Sequence, residues 1–233
     1  MNKYKETIQE MKSYLLLWST QSFSGLGSAM TSYALVIWSY TQKGSALMTA
    51  LLMVSSYAPY VLFSIFAGAL SDKWNKKAVM LVCDTAAALT TVVMLLLMRA
   101  GVLQIWHLYL INGINGLMNT VQQPAAEVAV TRLLPRKYYQ RVGSMRYLSS
   151  SLNSILTPIL ATAVLGISGM GAVVVFDLVT FVTAFVTLAF AIRIPEEEET
   201  EHKEKILTAA KEGLGYLNKE RGIFGLIMFL AAV

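Results

Sequence analysis

Residues 45–98 read SALMTALLMVSSYAPYVLFSIFAGAL (45–70), SDKWNKK (71–77) and AVMLVCDTAAALTTVVMLLLM (78–98). Two apolar blocks, the first uncharged and the second holding only Asp84, flank a short basic connection. About 20 consecutive apolar residues are what an α-helix needs to cross the hydrocarbon core of a bilayer. Strands are excluded as spanning elements, because an open sheet leaves backbone groups unpaired in lipid. The expected fold class is an all-α membrane protein.

The same pattern recurs on both sides. An uncharged block covers roughly 14–40, and later blocks cover 105–129 (with His107 and Glu127), 147–167 and 172–192 (with Asp177), making six expected spans over 14–192. With 55% hydrophobic and 14% charged residues, the chain lacks the charge a soluble domain of this size needs for its surface. Cys83, the single cysteine, lies inside a block, so no disulfide framework exists. Residues 1–13 carry Lys3, Lys5, Glu6, Glu10 and Lys12 before the uncharged stretch from Ser13 to Thr41, which is longer than a signal-peptide core. This reads as a cytoplasmic segment followed by an uncleaved first span.

Six spans place Lys3, Lys5, Lys12, Lys73, Lys76, Lys77, Arg132, Arg136, Lys137, Arg141 and Arg146 on the side of the amino terminus, with the basic residues from Arg193 onward. The other side keeps only Lys43 and Arg99. Basic residues concentrate in cytoplasmic loops, so the amino terminus is expected in the cytoplasm. The net charge of +5 then reflects topology and anionic headgroups rather than a nucleic-acid partner. A linker follows at 193–221, with the acidic run Glu196–Glu199 and an apolar stripe at Ile206, Ala210, Leu214 and Leu217. That stripe suits a helix on the membrane surface or an ordinary linker helix. Residues 222–233 are apolar but too short to cross, and read as the start of a truncated seventh span.

Units at about 14–98 and 105–192 repeat one another. Gly44-Ser45 and Pro59 recur as Gly143-Ser144 and Pro158, and Asp84 recurs as Asp177. The first span carries a stripe of Gln21, Ser24, Gly25, Ser28 and Ser32, and the fourth one of Asn112, Asn115, Gly116 and Asn119. Three spans per unit reverse the second unit in the membrane, an inverted 3+3 repeat of the kind that supports alternating access. Polar stripes facing lipid are unfavourable, so these face a cavity or neighbouring helices. Asp84 and Asp177 are functional candidates as acids within spans, with a structural role as the alternative. His107, beside Trp106 and Tyr109, reads as interfacial, and Glu127 with Arg132 as an ion pair or a gate at the cytoplasmic end. Nothing in the sequence has the pattern of a metal site, a nucleophile triad, an enzyme or a cofactor cradle.

Gly68-Ala69-Leu70-Ser71-Asp72-Lys73-Trp74-Asn75-Lys76-Lys77 resembles the loop signature of the major facilitator superfamily. Gly68, Asp72, Lys73, Lys76 and Lys77 match. Asn75 stands where the family has Gly, and Asn is the next most tolerant of a left-handed turn. Gly68 is expected to permit close helix approach, and Lys76 and Lys77 to hold the loop at the headgroups. The resemblance implies the amino-terminal six-helix bundle of a major facilitator fold. It also implies that this loop latches two halves in one access state, the partner lying in a carboxyl-terminal half missing from the chain. Thr157-Pro158-Ile159-Leu160-Ala161, Phe176–Phe181 and Gln123–Ala126 are similar to the macrolide-efflux and enterobactin-exporter branch.

That branch implies a bacterial inner-membrane protein with proton-coupled efflux of amphipathic drugs such as macrolides. Gln21, Ser24, Ser28, Asn112, Asn115 and Asn119 would line the substrate cavity, Asp84 and Asp177 would carry protons, and Pro59 and Pro158 would act as hinges. Two departures stand against it: Ala87 where the branch has Arg in the third span, and Asn112 where family antiporters have Arg in the fourth. Alternatives are a siderophore or metabolite exporter of the same branch, and a non-transporting half-transporter or scaffold fragment.

Overall fold

A computed structural model describes the backbone of residues 2–195 and their side chains except those of 2–6, 8, 43 and 65–73. The linker helix, the start of a seventh span, and the side chains of Asp72 and Lys73 therefore lie outside the described residues. Among the described residues five α-helices carry the fold: α1 Asn2–Lys43, α2 Ala46–Lys73, α3 Lys76–Arg99, α4 Ile105–Leu133 and α5 Tyr139–Val186. A 3₁₀ turn, Arg136–Tyr138, precedes α5, and a π turn, Thr187–Ala191, ends it.

Local chemistry starts and stops these helices. Ser45 accepts from the Met48 amide at 3.4 Å and begins α2, and Asn75 accepts from the Ala78 amide at 2.9 Å and begins α3. At α4, His107 Nδ1 accepts from the Gln104 amide at 3.0 Å in a reciprocal cap, so His107 closes a helix end. Gly44, Gly101 and Gly169 have φ of +62°, +71° and +74°, a region that disfavours a Cβ. Gly44 and Gly101 sit in the connections after α1 and α3, while Gly169 interrupts α5.

Contacts show what the interruption does. Trp18 Nε1 donates to the Met145 carbonyl at 3.2 Å and Ser22 meets Ser149 at 2.8 Å, so α1 and 139–168 run parallel. Past Gly169 the order reverses: Ser28 bonds Asp177, whereas Leu17 packs on Leu188 and Ile192. The chain thus doubles back at Gly169, between the expected fifth and sixth blocks. On the other flank α2 and α4 run parallel, with Tyr109 Oη on the Met48 carbonyl (3.0 Å), Asn112 Nδ2 on the Leu52 carbonyl (3.4 Å) and Tyr60 Oη on Gln123 (2.9 Å).

Among the described residues three stretches, Ala46–Ser64, Lys76–Arg99 and Arg136–Ala191, are long and apolar enough to cross a membrane. The polar stripes lower the hydropathy of α1 and α4. Met30, Ala34, Met94, Leu108, Val173 and Val174 form the main core. Outside, Ile167 and Phe190 are over 80% exposed, while Asp177, Thr120 and Ser39 are buried. Apolar groups outside with polar groups inside invert the soluble pattern and match lipid as the surrounding solvent.

Several expectations change. Helix α2 continues to Lys73, so the basic connection shrinks to Trp74 and Asn75. Asn75 has φ −57°, and its side chain is used as a cap instead of permitting a left-handed turn. Lys76 is not at the headgroups: it is 4% exposed and donates to the Trp74 carbonyl at 2.9 Å. Gly44-Ser45 forms a turn and a cap, whereas Gly143-Ser144 lies within α5. Pro59 and Pro158 sit inside helices that continue through them.

Lys77 reaches across the bundle. Its Nζ donates to the Ala189 and Ile192 carbonyls, each at 2.8 Å, where the π turn ends and helical partners run out. Bonds from a charged donor contribute about 1.5–3 kcal/mol, so Lys77→Met is expected to lower stability by that amount. Unfolding in detergent, followed by circular dichroism, measures it. An unchanged midpoint would remove the clamp.

Helix α1 has 42 residues, about 63 Å at 1.5 Å per residue and twice a hydrocarbon core of about 30 Å. Near its start, Met11 and Tyr14 pack on Leu134, Tyr138 and Val142. Glu10 pairs with Lys137 Nζ at 2.6 Å and accepts from Tyr138 Oη at 2.8 Å. These two bonds, the lysine's first, hold the Glu10 carboxyl below its ordinary 4.5. A depressed folded-state value means the contribution is present above the ordinary carboxylate range and is lost as pH falls below it. The protection factors of residues 2–13, which remove the intrinsic pH dependence of amide exchange, should therefore fall only once pH drops below the ordinary carboxylate range, and Glu10→Gln should lower them at pH 7. Exchange unaffected by either change would show that the pair does not hold this segment.

Candidate functional site

One feature of α2 and one of α4 bring the two helices together. Pro59 has no N–H, so the Ser55 carbonyl loses its helical partner. Gly113 and Gly116 face that turn, and a Cβ on residue 116 would overlap the Ser56 carbonyl. On the other flank, a Cβ on Gly27 would overlap Thr180 and come within 2.9 Å of the Asp177 Cα. The helices thus approach at backbone distance on both sides, and the space between them is closed in by polar residues of α1 and α4.

That space is a cavity of about 170 Å³. Ser24, Ser28, Thr31 and Ser32 line it from α1, Ser56 from α2, and Asp84 and Thr91 from α3. Asn112, Asn115 and Asn119 come from α4, and Asp177 and Phe181 from α5. Two candidate stripes and both acids therefore converge. Gln21 is not on the wall, but its Nε2 donates to Asp84 Oδ2 at 3.3 Å. Asp84 Oδ1 accepts from Gln122 Nε2. Asp177 Oδ1 accepts from Ser28 at 2.9 Å, and Asn115 Oδ1 accepts from Thr90 at 3.0 Å. A larger, open and mainly apolar recess of about 470 Å³ lies between α1 and α2, around Val36, Ile37 and Met53, and gathers none of the candidates.

The remaining candidates lie elsewhere. Gly68 is in the last turns of α2, and Lys76 and Lys77 are at the start of α3. Glu127 pairs with Arg146 at 3.2 Å rather than with the expected Arg132, which reaches the Pro195 carbonyl at 3.5 Å. Reading the sequence missed Thr31, Gln122, Gly27, Ser56, Thr90 and Phe181. Gln122 continues the 112, 115, 119 stripe by one turn and Thr31 continues 24 and 28, so extending each stripe finds both. Ser56 and Thr90 carry no such signal.

Residues 17–233 match the Major Facilitator Superfamily. Macrolide efflux protein A of Streptococcus pyogenes is 22% identical over 98% of this chain and 56% of its own length. An uncharacterized MFS-type transporter of Bacillus subtilis, YfiS, is 23% identical over 92% and 51%. A macrolide efflux protein A of Enterococcus faecalis is 21% identical over 79% and 57%. The chain spans about half the length of these curated relatives. With apolar helices of spanning length and a family match over nearly its whole extent, the chain belongs to the Major Facilitator Superfamily of multi-pass membrane transporters.

Proposed function

We propose that this chain forms the amino-terminal bundle of a proton-coupled exporter of amphipathic small molecules in the bacterial inner membrane. It crosses six times, counting the two arms of α5 separately, with its amino terminus in the cytoplasm. The observation that carries this reading is the convergence of two polar stripes and two acids on one cavity within an apolar-surfaced bundle. A second bundle completes the path, and the Gly68–Lys77 segment, with Asp72 and Lys73, latches the two bundles in one access state. Gln21, Ser24, Ser28, Asn112, Asn115 and Asn119 serve the cargo path, Asp84 and Asp177 carry the protons that move in exchange for cargo, and Pro59 and Pro158 give the helices flexure. The inverted repeat of 14–98 and 105–192 supplies the two access states. Relatives named for macrolide efflux favour drugs of that amphipathic kind over metabolites.

The test expresses the complete gene in a pump-deficient bacterial host. Lower accumulation of macrolide and lipophilic dye, reversed by a protonophore, is expected. Accumulation unchanged for every compound would favour the scaffold reading. Export that survives collapse of the proton gradient would remove the coupling.

A further inference from the structure

Where the second arm of α5 ends, the chain does not leave the bundle at once. The π turn closes with the Ile192 amide donating to the Thr187 carbonyl at 3.2 Å, and Ile192 is then extended, with φ −105° and ψ 125°. Extended backbone sends alternate side chains to the same side. Ile192, buried, and Ile194, partly buried, accordingly join one apolar cluster with Leu17 of α1, Met80 of α3 and Ala129 of α4. The main chain of the same stretch is held as well. Lys77 Nζ donates to the Ala189 and Ile192 carbonyls, and Arg132 Nη1 reaches the Pro195 carbonyl at 3.5 Å. Carbonyls at a helix end have lost their helical donors and carry the negative end of the helix dipole, so a cation there answers both. Apolar packing and cations from α3 and α4 thus fasten residues 189–195 across the ends of three helices.

Lys77 also closes the Gly68–Lys77 segment, whose resemblance implies contact with a second bundle. A lysine ammonium has three donors, and two of them are committed here to carbonyls of its own bundle. We propose that Lys77 is a positioning residue that fastens the chain leaving α5, so that the linker, from its first residues at 193–195, is carried by the amino-terminal bundle. The anchor deepens the transporter reading and rests on it for the linker's use. It leaves contact with a second bundle to the other members of the segment.

The protein purified from its complete gene is followed by amide hydrogen exchange and mass spectrometry, with export measured in parallel in cells. Lys77→Met should raise exchange over 189–194 by about tenfold or more, while residues 80–98 of α3 stay within about threefold of wild type. Lys77→Arg keeps a cationic donor and should recover most of the protection. Lys73→Met should leave 189–194 as in wild type. Unchanged exchange in Lys77→Met, or a rise spread evenly over all helices, overturns the anchor. Loss as complete in Lys77→Arg overturns the part played by the charged donor, and an equal rise in Lys73→Met overturns the division within the segment. Should Lys77→Met not fold, Lys77→Gln decides: raised exchange at 189–194 supports the anchor, and wild-type exchange rejects it. A protected 189–194 in a protein that exports nothing would sink the transport reading alone. Export by a wild type with 189–194 unprotected would sink the anchor alone.

Discussion

Gly116→Leu is expected to prevent the bundle from assembling. Residue 116 faces the Ser56 carbonyl so closely that even a Cβ would overlap the backbone of α2. A side chain in the way can rotate, whereas a helix backbone can yield only by moving the whole helix. Moving α2 away would break the bonds from Tyr109 to Met48 and from Asn112 to Leu52 along the same contact. Overpacking a well-fitted interior costs about 1–3 kcal/mol, and a clash with backbone belongs at or above the top of that range. Loss of monodisperse protein in detergent, or a fall in the unfolding midpoint of many degrees, is the expected readout. Gly143→Ala is the control: nothing lies within 4 Å of its Cβ direction, so it should be neutral or slightly stabilising. Equal behaviour of the two variants would show that close approach of α2 and α4 is not what residue 116 provides. Gly27→Leu tests the opposite flank, where Thr180 and Asp177 stand in the way.

Asn115→Leu should abolish export in the complete protein while the bundle still folds. Its Oδ1 accepts from Thr90, but that hydroxyl also donates to the Ala87 carbonyl at 2.7 Å and keeps a partner after the change. The stability cost is therefore small, while an apolar side chain replaces a polar one on the wall of a small cavity. Asn112→Leu removes in addition a long bond to the Leu52 carbonyl and should behave alike. Accumulation of a lipophilic dye in a pump-deficient host, alongside the unfolding midpoint, separates cargo contact from helix packing. Lost export with an unchanged midpoint supports the cargo path. Lost folding points to packing, and wild-type export in both variants removes the asparagines from the transport mechanism.

The stripes at 21–32 and 112–119 were legible because helical spacing puts such residues on one side whatever the helix packs against. Their partners were not. Asp84 meets Gln21 and Gln122 from positions remote in sequence, and only helix packing chooses among the amides available. Lys77 illustrates the same limit. Its spacing matches a family loop, and a lysine at a membrane face reads naturally as a headgroup anchor, yet the end of the α5 π turn offered carbonyls within reach. Asn75 shows how one residue type serves two local purposes. The side chain that would tolerate a left-handed turn equally accepts a helix amide, and the short link between α2 and α3 favours the cap.

By itself the sequence determined the solvent, the helical class and the polar faces. Those follow from how many apolar residues run together and at what spacing, which lipid and the helical period decide locally. Only the tertiary structure decided that the glycines of α1 and α4 seat against neighbouring backbones, that the reversal between the fifth and sixth blocks falls at Gly169, and that both acids take donors from other helices. Each of these depends on which helices lie side by side and in which direction, a choice made by packing across distant parts of the chain.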